Sequence, residues 1–166
     1  MESLSLSTTI DVTLDLASDL DVRASTRHMG DAMIATLASR VGSTAFLLRS
    51  LQKLLVEDFS HNIDTGSNER AIKPAGIETV AAIAAQCEII CRTIIANFIK
   101  ASVRDRKGKQ EAKGVEMARL ATVIIAKKKA TSWLRTRLET SQTQLELVRA
   151  KLLVVLQVFN LAKLQV

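Results

Sequence analysis

The sequence predicts an all-α fold: a four- to five-helix bundle, mostly antiparallel, with a long C-terminal helix. The strongest indication is a seam between residues 131 and 164 that repeats at alternating spacings of four and three, as in helices that pack lengthwise. Ser141 alone interrupts its apolar character. The seam consists of Leu134, Leu138, Ser141, Leu145, Val148, Leu152, Val155, Phe159 and Ala162.

Composition supports the same fold class. The chain is 48% hydrophobic but only 3% aromatic, with six Gly, one Pro and no Tyr. The core must therefore be built from Leu, Ile, Val and Ala, a balance that favours helices over short strands. Because 166 residues fit one domain, we predict a single helical-bundle domain spanning residues 1–166.

The first helix is predicted over residues 8–21, although residues 10–16 alternate between apolar and polar like a half-buried strand. A lone strand in a helical chain would have no partner, which favours the helix and leaves the strand as the alternative. Asp11, Asp15 and Asp19 would then share one face. No Glu-x-x-His motif supplies the further ligands that a metal site would need. We therefore predict that this face is exposed to solvent rather than part of a metal site.

A linker over residues 22–30 separates this helix from the second, predicted over residues 31–58 with Asp31 as a possible cap. Its apolar seam consists of Met33, Leu37, Val41, Thr44, Leu48, Leu51 and Leu55. Residues 59–74 are rich in Ser, Asn, Asp, Thr and Gly, a composition that predicts a mobile loop.

Pro74 is suited to the start of the third helix, predicted over residues 75–103. Its core stripes consist of Ile77, Ala84, Cys91 and Phe98, interleaved with Val80, Cys87, Ile94 and Ala101. Residues 104–114 are charged and interrupted by glycine, which predicts a solvated loop. Two further helices follow over residues 115–129 and 131–164, and the pattern leaves open whether they are continuous.

No constellation of residues predicts catalysis, a cofactor or a metal. His28 and His61 fall in predicted linkers, without a nucleophile at a useful spacing. Cys87 and Cys91, four apart on one helix, are poorly placed for a disulfide and have no nearby His for a metal site. We therefore predict buried free thiols, a reducing compartment and a protein that is not an enzyme.

A basic cluster lies between residues 117 and 138, a stretch with Trp133 and no acidic residue. It could contact nucleic acid, anionic lipid or the acidic first helix, or remain solvated. Because no DNA-binding motif accompanies it, nucleic acid is the weakest of these alternatives. This possible basic interaction surface consists of Arg119, Lys127, Lys128, Lys129, Arg135 and Arg137.

The N-terminal residues 1–7 carry no positive charge, so they do not predict a secretory signal. The apolar stretch of residues 76–99 contains Glu78, Glu88 and Arg92, which argues against a membrane span. We expect an intracellular, soluble protein of the cytoplasm or nucleus.

Three segments carry a family resemblance: residues 74–79 (PAGIET), 84–90 (AAQCEII) and 144–153 (QLELVRAKLL), the last preceded by Trp133. They resemble the helical N-terminal domains of filamentous-fungal proteins and, more loosely, of NACHT and other STAND receptors, including HeLo-like bundles. The resemblance implies an intracellular helical module, often placed ahead of repeats or NTPase modules. The sequence departs from that setting by ending at Val166.

The C-terminal part of the last helix is apolar beyond its main seam. Such excess predicts association with a protein partner or a second copy, which makes an adaptor module the first hypothesis for function. The alternative is a HeLo-like module that acts on anionic membranes, drawn there by the net charge of +6 and repelled by its acidic first helix. The excess consists of Leu153, Leu156, Val158, Leu161 and Leu164.

Overall fold

The computed structural model describes the backbone of residues 2–26, 32–65, 72–112 and 117–165. Within these ranges it describes the side chains of residues 6–22, 32–61, 72–101 and 132–165. Every regular element among these residues is helical, so the all-α prediction is confirmed. The helices are α1 (Glu2–Thr26), α2 (Ala32–Thr65), α3 (Pro74–Ala112) and α4 (Met117–Leu164).

The segment with a strand-like pattern belongs to α1, a helix of 25 residues. Its buried side chains recur at spacings of three and four, as one face of a helix requires. Threonines take two of these core positions, which is why an apolar pattern alone resembled a strand. The buried residues are Leu6, Thr9, Ile10, Thr13, Leu16, Ala17 and Leu20.

The first two helices continue beyond their predicted ends, α1 to Thr26 and α2 to Thr65. The predicted linker and loop are therefore wrong over residues 22–26 and 59–65. In α2 the hydroxyl of Ser60 donates to the carbonyl of Val56 at 3.0 Å, so this turn-forming side chain is satisfied inside the helix. Residues 27–30 of the predicted linker, residues 66–71 of the predicted loop and the predicted cap Asp31 lie outside the described residues, and residues 72–73 of the loop are not helical, as predicted.

The third helix begins at Pro74 and extends to Ala112, past its predicted end at residue 103. The prediction of a solvated loop is wrong over residues 104–112. Arg, Lys, Gln, Glu and Ala are strong helix formers, and extending an existing helix needs no new nucleus. Residues 113–116 lie outside the described residues.

The last two predicted helices form one continuous helix, α4, of 48 residues. The question that the sequence pattern left open at residue 130 is thus answered by a continuous helix. Neither Gly nor Pro occurs near this position, and the Thr136 hydroxyl donates to the carbonyl of Ser132 at 3.1 Å within the uninterrupted helix. Without a helix-breaking residue the two segments join.

The chain divides into two compact units. The first comprises Met1–Cys91 with Gln144–Val166, and the second comprises Arg92–Thr143. Among the described side chains of the second unit, residues 92–101 and 132–143, two apolar and two polar side chains of α3 and α4 are buried. They are Ile94, Asn97, Leu138 and Ser141.

In the first unit, ion pairs define the direction of α2 relative to α4. Arg40 pairs with Glu146 near the start of this contact, and Lys163 pairs with Glu57 at 2.9 Å near its end. In each pair the two partners are 106 residues apart in the sequence. Because residue numbers increase together along the two helices, α2 and α4 run parallel.

The neighbours α3 and α4 run antiparallel in this unit. Lys151 donates to the amide oxygen of Gln86 at 3.4 Å, and Gly76 lies against the ring of Phe159. Residue numbers therefore rise along α3 as they fall along α4. A Cβ atom at Gly76 would lie 3.0 Å from the Phe159 ring, so glycine permits the close approach of the two helices.

The first helix lies antiparallel to α2. An added Cβ at Gly42 of α2 would lie 4.0 Å from the Cβ of Ala17 in α1, and these residues are nine before the end of α1 and ten after the start of α2. The five residues that join the two helices reach about 20 Å, whereas parallel helices with this contact would need about 28 Å. Since α2 is parallel to α4 and antiparallel to α3, α1 is parallel to α3. Chain neighbours thus alternate in direction around the core of the first unit, as in an up-and-down bundle.

That core is almost entirely aliphatic. The members of the predicted α4 seam from Leu145 to Phe159 face it, together with the central part of the predicted α2 seam and the predicted stripes of α3 up to Cys91. The side chains with no exposed surface include Leu37, Val41, Leu48, Leu51, Ala84, Cys87, Leu145, Val148 and Leu152.

Candidate functional site

The predicted basic surface is described only in part. The side chains of Arg119, Lys127, Lys128 and Lys129 lie outside the described residues. The two remaining members, in the second unit, are exposed and contact residues of their own helix. The Arg135 side chain pairs with Glu139 at 3.2 Å, and the Arg137 guanidinium lies 5.9 Å from the centre of the Trp133 ring.

The acidic face of α1 is exposed as predicted, with Asp11, Asp15 and Asp19 directed to solvent. His61 is exposed within α2 rather than in a linker, and His28 lies outside the described residues. Within the described ranges, no three His, Cys, Asp or Glu side chains lie close enough to hold a metal ion.

Cys87 and Cys91 are free, fully buried thiols, as predicted. Both lie 3.9 Å from the hydroxyl of Thr13, whose own proton is donated to the carbonyl of Thr9 at 2.6 Å. The Cys91 thiol therefore donates to this hydroxyl. The hydrogen bond with Cys91, together with burial, raises the pKa of the Cys87 thiol. A thiol held neutral in this way is a structural group rather than a nucleophile.

Exposed apolar side chains define the best candidate site. On α4 of the first unit, Leu147, Val154, Val158 and Leu161 are each 55–61% exposed. Their spacings of seven, four and three place them along one side of the helix, next to the buried seam. We call these four residues the α4 stripe.

An open groove between α3 and α4 borders the α4 stripe. Its mainly aliphatic lining comes from Thr79, Ala82, Ile83 and Gln86 of α3 and from Ala150, Lys151, Val154 and Val155 of α4. Ile89 lies one heptad after Ala82 and is also exposed. Given the contact between Gln86 and Lys151, the antiparallel register places Ile89 near the level of Leu147. The α4 stripe, Ala82 and Ile89 together form what we call the α3–α4 apolar face.

The sequence prediction found part of this face. Of the predicted apolar excess, Val158, Leu161, Leu153 and Leu164 are exposed, and Leu156 is half-buried. Leu147, Val154 and Ile89 were missed. The spacing of seven residues from Leu147 to Val154 to Leu161 indicates that they share one face of the helix. The sequence alone does not say whether that face is exposed or forms a second buried face.

A further property of α3 differs from the sequence expectation. Its segment Pro74–Ala101 has a mean hydropathy of 1.5 and is long and apolar enough to cross a membrane by length and composition. The charged residues Glu78, Glu88 and Arg92 therefore do not exclude a membrane span over this segment, contrary to the expectation from the sequence. Core helices of bundles have the same composition, and α3 buries Val80, Ala84 and Cys87 inside the first unit.

Comparisons with known proteins add no family assignment. The chain matches no protein-family model, and no curated protein or solved structure is significantly similar to it.

Proposed function

We propose that this chain is a non-enzymatic, intracellular helical interaction module that associates with other proteins through the α3–α4 apolar face. The observation that carries the proposal is the α4 stripe, whose four aliphatic side chains are each more than half exposed beside a groove of similar character. Contiguous apolar surface of this kind marks sites of association. The resemblance to fungal helical N-terminal modules and the buried free thiols agree with an intracellular role.

The energetics require more than the α4 stripe. Complete burial of a Val or Leu side chain contributes about 1.5 to 3 kcal/mol, so covering the exposed part of four such residues contributes roughly 3 to 7 kcal/mol. Association costs about 4 to 15 kcal/mol in lost translational and rotational freedom. A stable complex therefore needs the groove and Ile89 as well as the stripe.

A helix is the partner element that fits this face best. Two antiparallel helices with a groove between them accept the apolar side of a third helix, whose residues at spacings of three and four fill the groove. The groove contains few polar groups, Gln86 and Lys151 among them, which would orient the partner. Such a surface favours an amphipathic helix over an extended peptide.

Substitution of Val154 tests the proposal. We expect Val154→Glu to weaken capture of protein partners from cell extract about 100-fold, because a charge at the centre of an apolar contact would be desolvated. The matched control is Phe46→Glu, an equally drastic change at a side chain of α2 that is 70% exposed and outside the face. If both variants capture the same proteins as the unchanged chain, the α3–α4 apolar face is not an interaction site.

A HeLo-like module acting on anionic bilayers is the second candidate. The length and hydropathy of Pro74–Ala101 favour it, and so does the net charge of +6. The exposed Asp11, Asp15 and Asp19 would be repelled by anionic lipid, which ranks this candidate below protein association.

A further inference from the structure

We propose that the α3–α4 apolar face binds a second copy of this chain, with the two α4 helices packed antiparallel about Val154. The inference rests on the proposed function and names its partner. A two-fold symmetric dimer uses the same patch on both copies, so the patch must be complementary to itself. The α4 stripe meets this requirement in its spacing and its charges.

The spacing is symmetric about Val154. Leu147 and Leu161 lie seven residues before and after it, and Ala150 and Val158 lie four residues before and after it. Antiparallel pairing therefore places Leu147 of each copy against Leu161 of the other, with the two Val154 side chains meeting on the axis. Aliphatic contacts at this repeat are those that hold paired helices together.

The charges of the face are complementary in the same register. Exposed Lys151 of α4 bonds only to the neutral amide of Gln86, and exposed Glu78 of α3 has no ionic partner among the described residues. Within one copy, the contact of Gly76 with Phe159 places Glu78 near the level of Gln157. Antiparallel pairing about Val154 brings Lys151 of the second copy to that same level.

Each Lys151 thus meets the Glu78 of the other copy, and the two-fold axis makes the contact twice. This balance matters because each chain carries a net charge of +6. Copies that repel one another overall can approach most easily through a face whose own charges cancel, since screening over about 10 Å weakens the more distant charges.

Sedimentation equilibrium of the purified full chain tests the dimer. We expect twice the 18.1 kDa mass of the chain, a Val154→Glu variant whose dimer dissociation constant is raised about 100-fold, and a Phe46→Glu variant that is unchanged. Circular dichroism of each variant establishes that it remains helical.

A pair of charge reversals tests the register. Lys151→Glu alone and Glu78→Lys alone should each weaken the homodimer about tenfold, because like charges then meet twice. Mixing the two variants should restore dimerisation, because in the mixed dimer both contacts again join opposite charges. Val154 lies outside these substitutions, so this experiment holds even if Val154→Glu fails to fold.

The outcomes separate this inference from the proposed function. A purified chain that remains monomeric up to 1 mM, about the weakest affinity of a specific contact, overturns self-association. If extract partners still depend on Val154 in that case, the proposed function stands with a different protein as partner. A dimer that tolerates Val154→Glu overturns this inference, and the proposed function falls with it only if that variant also captures the same extract proteins as the unchanged chain. A dimer that needs Val154 but ignores the charge reversals overturns the antiparallel register.

Discussion

At the scale of single residues, polar side chains enter the core of the first unit with their hydroxyl groups hydrogen-bonded. Thr9 and Thr13 are buried, and Thr9 donates to the Glu88 carboxylate of α3 at 3.4 Å. The hydroxyl of Thr13 donates to the carbonyl of Thr9 one turn earlier at 2.6 Å, which removes the cost of an unpaired buried donor. The Cys91 thiol of α3 donates to the hydroxyl oxygen of Thr13, which links α1 to α3.

The aliphatic seam carries the stability of the first unit. We expect Leu145→Ala or Leu152→Ala to lower the free energy of unfolding by about 2 to 5 kcal/mol, because each deletes a fully buried side chain and leaves a cavity. Gln144→Ala, at an exposed neighbour on the same helix, should change it by less than about 0.5 kcal/mol. Urea denaturation followed by circular dichroism measures the difference, and equal effects at both kinds of position would contradict this assignment of the core.

At the scale of the elements, ion pairs at both ends of their contact fix the register of α2 on α4. Arg40 meets Glu146 at one end, and Lys163 meets Glu57 at the other. Apolar side chains would tolerate a shift of one turn along the helices more easily than these pairs would. The pairs therefore specify the register rather than supply most of the stability, since exposed ion pairs contribute little.

The hydrogen bond from Lys163 lowers the pKa of Glu57 below its usual value of 4.5. A carboxyl group whose pKa is lower in the folded state stabilises the fold above its unfolded pKa, and this contribution is lost as the pH falls through the folded pKa. We expect Glu57→Gln to be less stable than the unchanged chain at pH 7, by a difference that shrinks as the pH falls below 4.5. Thermal unfolding at pH 7 and pH 3 measures the change in this difference. Lys163→Met should produce the same pattern, and a difference as large at pH 3 as at pH 7 would contradict the pairing.

At the scale of the whole molecule, the described helices bury one apolar seam each and leave further apolar residues outside. Phe46 on α2, Ile99 on α3 and Val154 on α4 are exposed. The α3–α4 apolar face combines such residues with a groove. This apolar excess is the observation behind both proposals, association with protein and association with membrane.

Flotation with phosphatidylserine vesicles at physiological salt distinguishes association with membrane from association with protein. We expect the unchanged chain to remain in the soluble fraction, as it should with neutral phosphatidylcholine vesicles, because the exposed Asp11, Asp15 and Asp19 oppose binding to anionic lipid. Flotation with the anionic vesicles that is lost on combined Lys127→Glu, Lys128→Glu and Lys129→Glu substitution would instead establish the membrane-acting candidate.

The sequence by itself determined the fold class and the core. A repeat of 3.5 residues with few Gly and Pro residues permits only helices, and a fully apolar stripe such as Leu145, Val148 and Leu152 has no stable location except the interior. The burial of Cys87 and Cys91 followed from the same periodicity. Helix ends were less predictable, because Ser, Thr and charged residues form turns and also continue an established helix.

Only the tertiary structure decided which apolar residues remain outside. Leu147 and Val154 lie beside the seam of α4 and are exposed. A further helix packed at this position would have buried them. Their spacing in the sequence would be the same whether they were buried or exposed. The close contact of Gly76 with Phe159 likewise depends on the pairing of α3 with α4. Periodicity reports the faces of a single helix, whereas exposure depends on how many helices surround it, and no local pattern contains that number.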